Sequence, residues 1–185
     1  ILKRLEDITP VPKGDSFTSR YQRNRLITMT VTALDKAGRQ DEATSLQIVE
    51  ADRTDTYPEL VARLLHEGRR DEALQWIHRG ISETEETAPG IADELRTILR
   101  EMWESEGNWP AVAAIHAEAF FREPTYPAFR DLEEASRRAG VWDEVRDAAM
   151  RYLITGERPP AGDGAIPGVL PDTGIGVRAS RWENT

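Results

Sequence analysis

The sequence predicts an all-α protein: a right-handed helical-repeat solenoid of about four helix pairs, followed by an extended C-terminal tail. Three observations lead there. The phrase "KAGRQDEATSL" at 36–46 returns as "HEGRRDEALQW" at 66–76, aligning Gly38 with Gly68, Arg39 with Arg69, Asp41 with Asp71, Glu42 with Glu72 and Ala43 with Ala73. Apolar residues recur with the helical period along most of the chain, and no stretch alternates over strand length. The composition is rich in Ala, Glu, Arg and Leu and poor in β-branched residues, which favours helices.

The repeat continues more weakly. "SEGNWPAVAAI" carries Gly107 and "RAGVWDEVRDA" carries Gly140, so the four glycines are 30, 39 and 33 residues apart. That is close to the period of helix–turn–helix arrays. In each unit a helix ends, Gly reverses the chain in the left-handed conformation, and a new helix starts. Asp41/Glu42, Asp71/Glu72 and Asp143/Glu144 then fall in a first turn, where carboxylates meet the positive end of the helix dipole. The residue five after each Gly (Ala43, Ala73, Val112, Val145) is small enough to let two helices approach closely.

The elements follow in order. Leu26, Ile27, Val31 and Leu34 mark a first helix at 16–37, and Ala43, Leu46 and Val49 a short second one. Leu60, Val61, Leu64 and Leu65 mark the third; Leu74, Ile77 and Ile81 the fourth. Ile91, Leu95, Ile98, Leu99 and Met102 form the stripe of the fifth, and Val112, Ile115, Ala119 and Phe120 that of the sixth. Phe129, Leu132, Ala135 and Ala139 mark the seventh; Val145, Ala148, Ala149, Tyr152 and Leu153 the eighth. "TYPEL" at 56–60 and "TYPAF" at 125–129 read as helix starts, with Thr56 and Thr125 as N-caps, Pro58 and Pro127 in the first turn, and a Thr56/Glu59 capping box. The acidic "SETEETAPG" at 82–90 reads as a solvated loop. Three segments result: a linker or N-terminal extension at 1–15, a repeat domain at 16–156, and a Pro/Gly-rich tail at 157–185.

Composition narrows the function classes. With no cysteine there is no disulfide framework and no thiolate metal site, which fits a cytoplasmic protein. No apolar run is long enough to span a membrane, and the N-terminal "ILKRLEDITPVPKGD" lacks the apolar core of a secretory leader. The chain does not begin with Met and reads as a piece of something longer. The net charge is −9, unevenly spread: residues 1–40 carry eight Lys/Arg against four Asp/Glu, residues 41–156 thirteen against twenty-five. An acidic body repels phosphate backbones, so direct nucleic-acid binding is not expected.

Motifs with chemistry are sparse. His66, His78 and His116 form no close ligand spacing, so no metal site is expected. "LPDTG" at 170–174 matches a sortase sorting signal, but the polar "IGVRASRWENT" that follows is no membrane segment. "GIGVRA" at 174–179 has neither a strand before it nor a helix after it, so it reads as a loop and not a dinucleotide fingerprint. No nucleophile elbow, P-loop or readable catalytic pair appears, and neither catalysis nor a cofactor is expected. Trp76, Trp103, Trp109 and Trp142 are expected to pack between adjacent helices.

The Gly-x-x-Asp/Glu-Glu-Ala turn, with Pro124 seventeen residues after Gly107, resembles the tetratricopeptide (TPR) repeat, although the aromatic–Leu–Gly pattern of its first helices is missing. Residues 21–156 also resemble the helical region of bacterial SWIM zinc-finger family proteins, through "RNRLITMTVTALDKAGRQDEA" at 23–43, "GRRDEALQWIHRGI" at 68–81, "PGIADELR" at 89–96 and "GVWDEVRDAAMRYL" at 140–153. The family's Cys-x-Cys and Cys-x-His signature is absent, so no zinc role carries over. The TPR resemblance implies a groove lined by the first helix of each pair, here including Arg25, His66, Glu94, Glu101, Arg130, Glu134 and Arg137. It also implies a non-catalytic interaction scaffold that holds a protein or peptide partner. Two alternatives remain at this point: a nucleic-acid-associated module using the basic first helix (Arg20, Arg23, Arg25), and an enzyme accessory domain.

Overall fold

Gly38, Gly68, Gly107 and Gly140 all have φ between 69° and 75°, and each ends a helix in the same way. At Gly68 the glycine N–H donates to the Leu65 carbonyl at 3.1 Å and the Arg69 N–H to the Leu64 carbonyl at 2.8 Å, the paired bonds of a Schellman turn. The same two bonds recur at the other three glycines. Recurrence of the phrase therefore reflects recurrence of a turn.

The computed structural model describes residues 17–159 and 164–175, with side chains from Arg20 onward. Among the described residues there are eight helices and no strands. They are α1 (Phe17–Lys36), α2 (Gln40–Thr54), α3 (Tyr57–His66), α4 (Arg70–Thr84), α5 (Pro89–Ser105), α6 (Trp109–Arg122), α7 (Tyr126–Ala139) and α8 (Trp142–Thr155). No helix of the described residues is long and apolar enough to cross a membrane. The expected linker at 1–15, and residues 160–163 and 176–185 of the expected tail, lie outside the described residues.

The chain divides into two compact units, Ile1–Gly80 and Ile81–Thr185. In the first, α1 packs on α2 and α2 on α3. Ile27, Val31 and Leu34 meet Ala43, with Leu46 against them. Tyr57, Leu60, Val61 and Leu64 of α3 are buried as well. In the second, α5 packs on α6, α6 on α7 and α7 on α8. The most extensive of these contacts is between α6 and α7, and α6 contributes the fully buried Ala113, Ala114 and Ala117 to this core. An aromatic chain runs through this core from Tyr152 to Phe121 and Phe120, on to Phe129, and then to Trp142, with ring centroids 5.3–6.1 Å apart. Each such side chain contributes about 1.5–3 kcal/mol when fully buried.

Ala43, Ala73, Val112 and Val145 are all buried, as their position five after each glycine requires. The repeated Arg and Glu also gain a role. Arg39 is the N-cap of α2 and grips Glu42, three residues on, through two bonds of 2.6 and 2.5 Å; Arg69 grips Glu72 likewise at 2.9 and 2.7 Å. The third turn lacks that pair, and the Asn108 side chain instead accepts from the Ala111 N–H.

Four expectations need correction. The second helix is not short: α2 has 15 residues. Its buried face is Ala43, Thr44, Gln47, Glu50, Ala51 and Thr54, while Val49 is exposed. An apolar stripe could not reveal a face built mostly from polar groups. The acidic loop at 82–90 shrinks to Glu85–Ala88, because residues 82–84 complete α4 and Pro89 begins α5; Arg96 reaches back to Glu85 at 2.5 Å and holds the connection. The Thr56/Glu59 capping box does not form, since the Thr56 hydroxyl pairs with that of Thr54 at 2.8 Å. Thr125 does cap, accepting from the Ala128 N–H at 3.3 Å. Leu26 and Leu153, read as core positions, are about half exposed.

Candidate functional site

The first unit holds a cavity of about 330 Å³ lined by residues of α1, α2 and α3 and the turn after them. Its walls are made by side chains that the helical period brings to one side: Asp35 from α1, Gln40 and Gln47 two turns apart on one face of α2, Glu59, Arg63 and His66 on α3, then Glu67. Arg63 donates two bonds to Asp35, at 2.9 and 2.6 Å. The guanidinium holds the Asp35 carboxyl below the ordinary carboxylate range. Thr44 donates to Glu67 at 2.5 Å. Most of the charge in this wall is thus committed to neighbours.

The buried face of α2 continues into a second polar lattice. Arg23 donates to both Glu50 oxygens, at 2.5 and 2.8 Å, and Arg53 adds a third bond at 3.1 Å. Burial pushes the Glu50 carboxyl up, but the hydrogen bonds and charges of the two arginines outweigh it and leave the group below its usual value. Arg20 donates to Asp55 at 2.5 Å. Two of the three arginines of the basic first helix are therefore engaged with carboxylates. Asp52 accepts from the Tyr57 hydroxyl at 3.0 Å and pairs with Arg79, which in turn lies over Trp76.

In the second unit, Arg137 and Arg138 of α7 each lie over a tryptophan that opens a neighbouring helix, Trp142 of α8 and Trp109 of α6. Glu133 and Glu134, one turn earlier, hold the two guanidinium groups. Nearby, burial pushes the His116 imidazole down, against the opposing fields of Asp131, Glu104 and Glu134 and alongside that of Arg100. A tail segment, residues 164–175, also lies on this unit. Ile166 and Leu170 join the core cluster of Ala113, Ala114, Ala117 and Tyr152, and Thr173 donates to Glu118 of α6 at 3.1 Å. The "LPDTG" residues Leu170 and Thr173 are thus packing and hydrogen-bonding positions.

The seven expected groove residues are all exposed. Arg25 and His66 belong to the first unit and the other five to the second. His66 lines the cavity. Glu134 and Arg137 belong to the arginine–tryptophan stacks, and Glu101 stands 3.7 Å from Arg100. Glu94 and Arg130 face solvent on α5 and α7. Asp35, Gln47, Arg63, Glu118 and Thr173 escaped sequence reasoning. Gln40, Thr44 and Gln47 share helical spacing, and that polar stripe was the available signal. Among the described residues no group of three or more His, Asp or Glu side chains is arranged to hold a metal ion.

No family model, no curated protein and no solved structure matches the chain.

Proposed function

We propose that this chain is a non-catalytic protein–protein interaction scaffold: a TPR-like right-handed solenoid of about four helix pairs within a larger SWIM zinc-finger-type bacterial protein, acting in the cytoplasm. One observation carries it. The helices of the second unit already grip a non-helical, turn-containing segment of chain through a few aliphatic side chains and one hydroxyl. Apolar anchors with a few polar groups that fix orientation are the contacts by which a ligand segment can be held. The four identical Schellman turns, each followed by a buried small residue, support the repeat architecture. The engagement of Arg20 and Arg23 with Asp55 and Glu50 favours a protein partner over a nucleic acid, because it leaves the basic first helix little free charge for phosphates.

Affinity capture from a bacterial lysate, with and without nuclease, tests this. The expected result is a specific protein that nuclease does not release. Salt-sensitive binding of labelled duplex DNA or single-stranded RNA to the purified chain would overturn it.

A further inference from the structure

The tail segment 164–175, "GAIPGVLPDTGI", is held in a defined shape by little of its own. One turn closes it, with the Val169 and Leu170 N–H groups donating to the Ile166 carbonyl at 3.1 and 3.0 Å. Gly164, at φ +107°, allows that turn, since a Cβ there would sit 2.7 Å from the Leu170 carbonyl oxygen. What anchors the segment is a short row of buried side chains: Ile166, Leu170, Thr173 and Ile175, all under 7 % exposed. Ile166 and Leu170 belong to the same buried cluster as Ala113, Ala114 and Ala117, against which Tyr152 packs, and Thr173 donates to Glu118.

The fit is incomplete at one point. Glu118 receives the Thr173 hydroxyl on Oε1, but its Oε2 is buried with no hydrogen-bond partner. A buried acceptor without a donor is costly, and for a carboxylate more so than for a neutral group. Asp172, next to Thr173, adds a like charge near this carboxylate. The segment thus satisfies the apolar half of the surface and leaves its polar half short of one donor.

We propose that the α6 surface bearing Ala113, Ala114, Ala117 and Glu118 is a peptide-binding site, occupied in cis by residues 164–175 and opened by a partner segment of better-matched chemistry. This rests on the scaffold reading above and names its site and ligand class. The partner is a non-helical segment of another protein that can take the same turn, with aliphatic side chains four residues apart, a hydroxyl three residues further on, and a donor in place of the acid at the Asp172 position. The tail holds the site at the high effective concentration of a tether, so a free segment of the tail's own sequence competes poorly with it. A segment that also satisfies Glu118 Oε2 gains what the tail lacks.

The experiment uses the full chain and two fluorescent peptides, one with the sequence of residues 164–175 and one carrying Asn at the position of Asp172. Leu170→Asp removes an aliphatic anchor, and Gly164→Ala breaks the turn without altering any helix. Circular dichroism checks that the helices persist in each. Anisotropy titration should show both peptides binding the loosened variants about tenfold or more tighter than the wild type, as expected when a tethered competitor is released. The Asn peptide should bind more tightly than the parent. Absence of binding to Gly164→Ala with its helices intact would overturn the proposal, as would equal binding to wild type and variants. If the loosened variants form a dimer that excess peptide does not dissolve, the occupant is a second copy and the partner claim falls. If no peptide binds while lysate capture still returns a protein, this site fails and the scaffold reading stands.

Discussion

The Arg138 guanidinium lies over the Trp109 ring, its carbon 4.4 Å from the ring centroid, and Glu134 holds it from one turn back at 2.7 Å. The sequence signals behind this are a Glu and an Arg at i, i+4 on α7 and a tryptophan at the first position after a glycine turn. Arg137, Glu133 and Trp142 repeat the arrangement toward α8. Two consecutive arginines thus tie α7 to both of its sequence neighbours. Arg138→Ala should destabilise the chain by about 1 kcal/mol through lost cation–π and packing contact. Arg138→Lys should recover only part of that, because an ammonium lacks the planar face. Urea unfolding of the two variants and of Trp109→Ala, combined in a double-mutant cycle, measures the coupling; a coupling of zero would refute the stack as a stabilising contact.

Gly68→Ala isolates the backbone term of the repeated turn. An added Cβ meets nothing within 4 Å, so no clash contributes. The φ of +73° alone remains, and an L residue there costs about 1 kcal/mol or more. Thermal unfolding should show a lower Tm for Gly68→Ala, and Gly68→Asn should lose less, since Asn tolerates the left-handed region better. Equal stability of the alanine variant would contradict the turn geometry.

Glu50 and Arg23 form the most buried ion pair described, with side chains 6 % and 12 % exposed. Removing one partner leaves the other charge buried. Glu50→Ala should cost about 3 kcal/mol, whereas replacing both by well-packed apolar residues should cost far less. The Glu50 carboxyl titrates below its unfolded value, so the unfolded chain binds more protons between the two values. The stability from this pair is therefore present above the unfolded pKa, about 4.3, and is lost as pH falls through the folded one. Urea midpoints of wild type and Glu50→Gln should converge as pH drops through that window; a constant gap would sink the assignment.

The helices were legible because their cores obey a 3.6 period and their turns reuse one glycine phrase. Ile91 to Met102 on α5 and Val145 to Ala149 on α8 needed nothing more. α2 was misjudged because Thr44, Gln47, Glu50 and Thr54 are buried polar residues, and only their partners Arg23, Glu67 and Thr56 explain why. Those partners lie on other elements, at separations a periodicity cannot see. Thr56 and Thr125 open the same Thr-Tyr-Pro phrase, yet Tyr57 is buried against Trp76 and Tyr126 is three-quarters exposed. A local phrase specifies a helix start; packing decides what its aromatic ring does. The tail's anchors were visible as aliphatic residues in a Pro/Gly-rich stretch, but the polar anchor, Thr173 on Glu118, gave no sequence signal.

Glu118 should work against stability at neutral pH. Burial pushes its carboxyl up; the Thr173 hydroxyl and the charges of Arg122 and Arg96 pull it down, Asp172 pushes it up again, and the net direction is upward. The folded chain therefore binds more protons than the unfolded one between the unfolded value, about 4.3, and the raised folded value. Above the folded pKa the charged form carries its full desolvation penalty. As pH falls through that value the penalty fades, and below the unfolded pKa it is gone. Glu118→Gln keeps an acceptor for Thr173 and supplies a neutral amide, so it should be more stable than wild type at pH 7. Its advantage should shrink steadily toward pH 4. Glu118→Gln with Thr173→Val should lose part of that gain, because the amide is then left without its hydroxyl partner. Differential scanning calorimetry of the three proteins from pH 4 to pH 8 measures this, reading the gap between each variant and wild type at the same pH, so that titration of Glu50 and Asp35 cancels. A gap that does not change with pH would show that Glu118 is not desolvated by the docked tail, and a gap of opposite sign at pH 7 would show that its charge is needed to hold the tail in place.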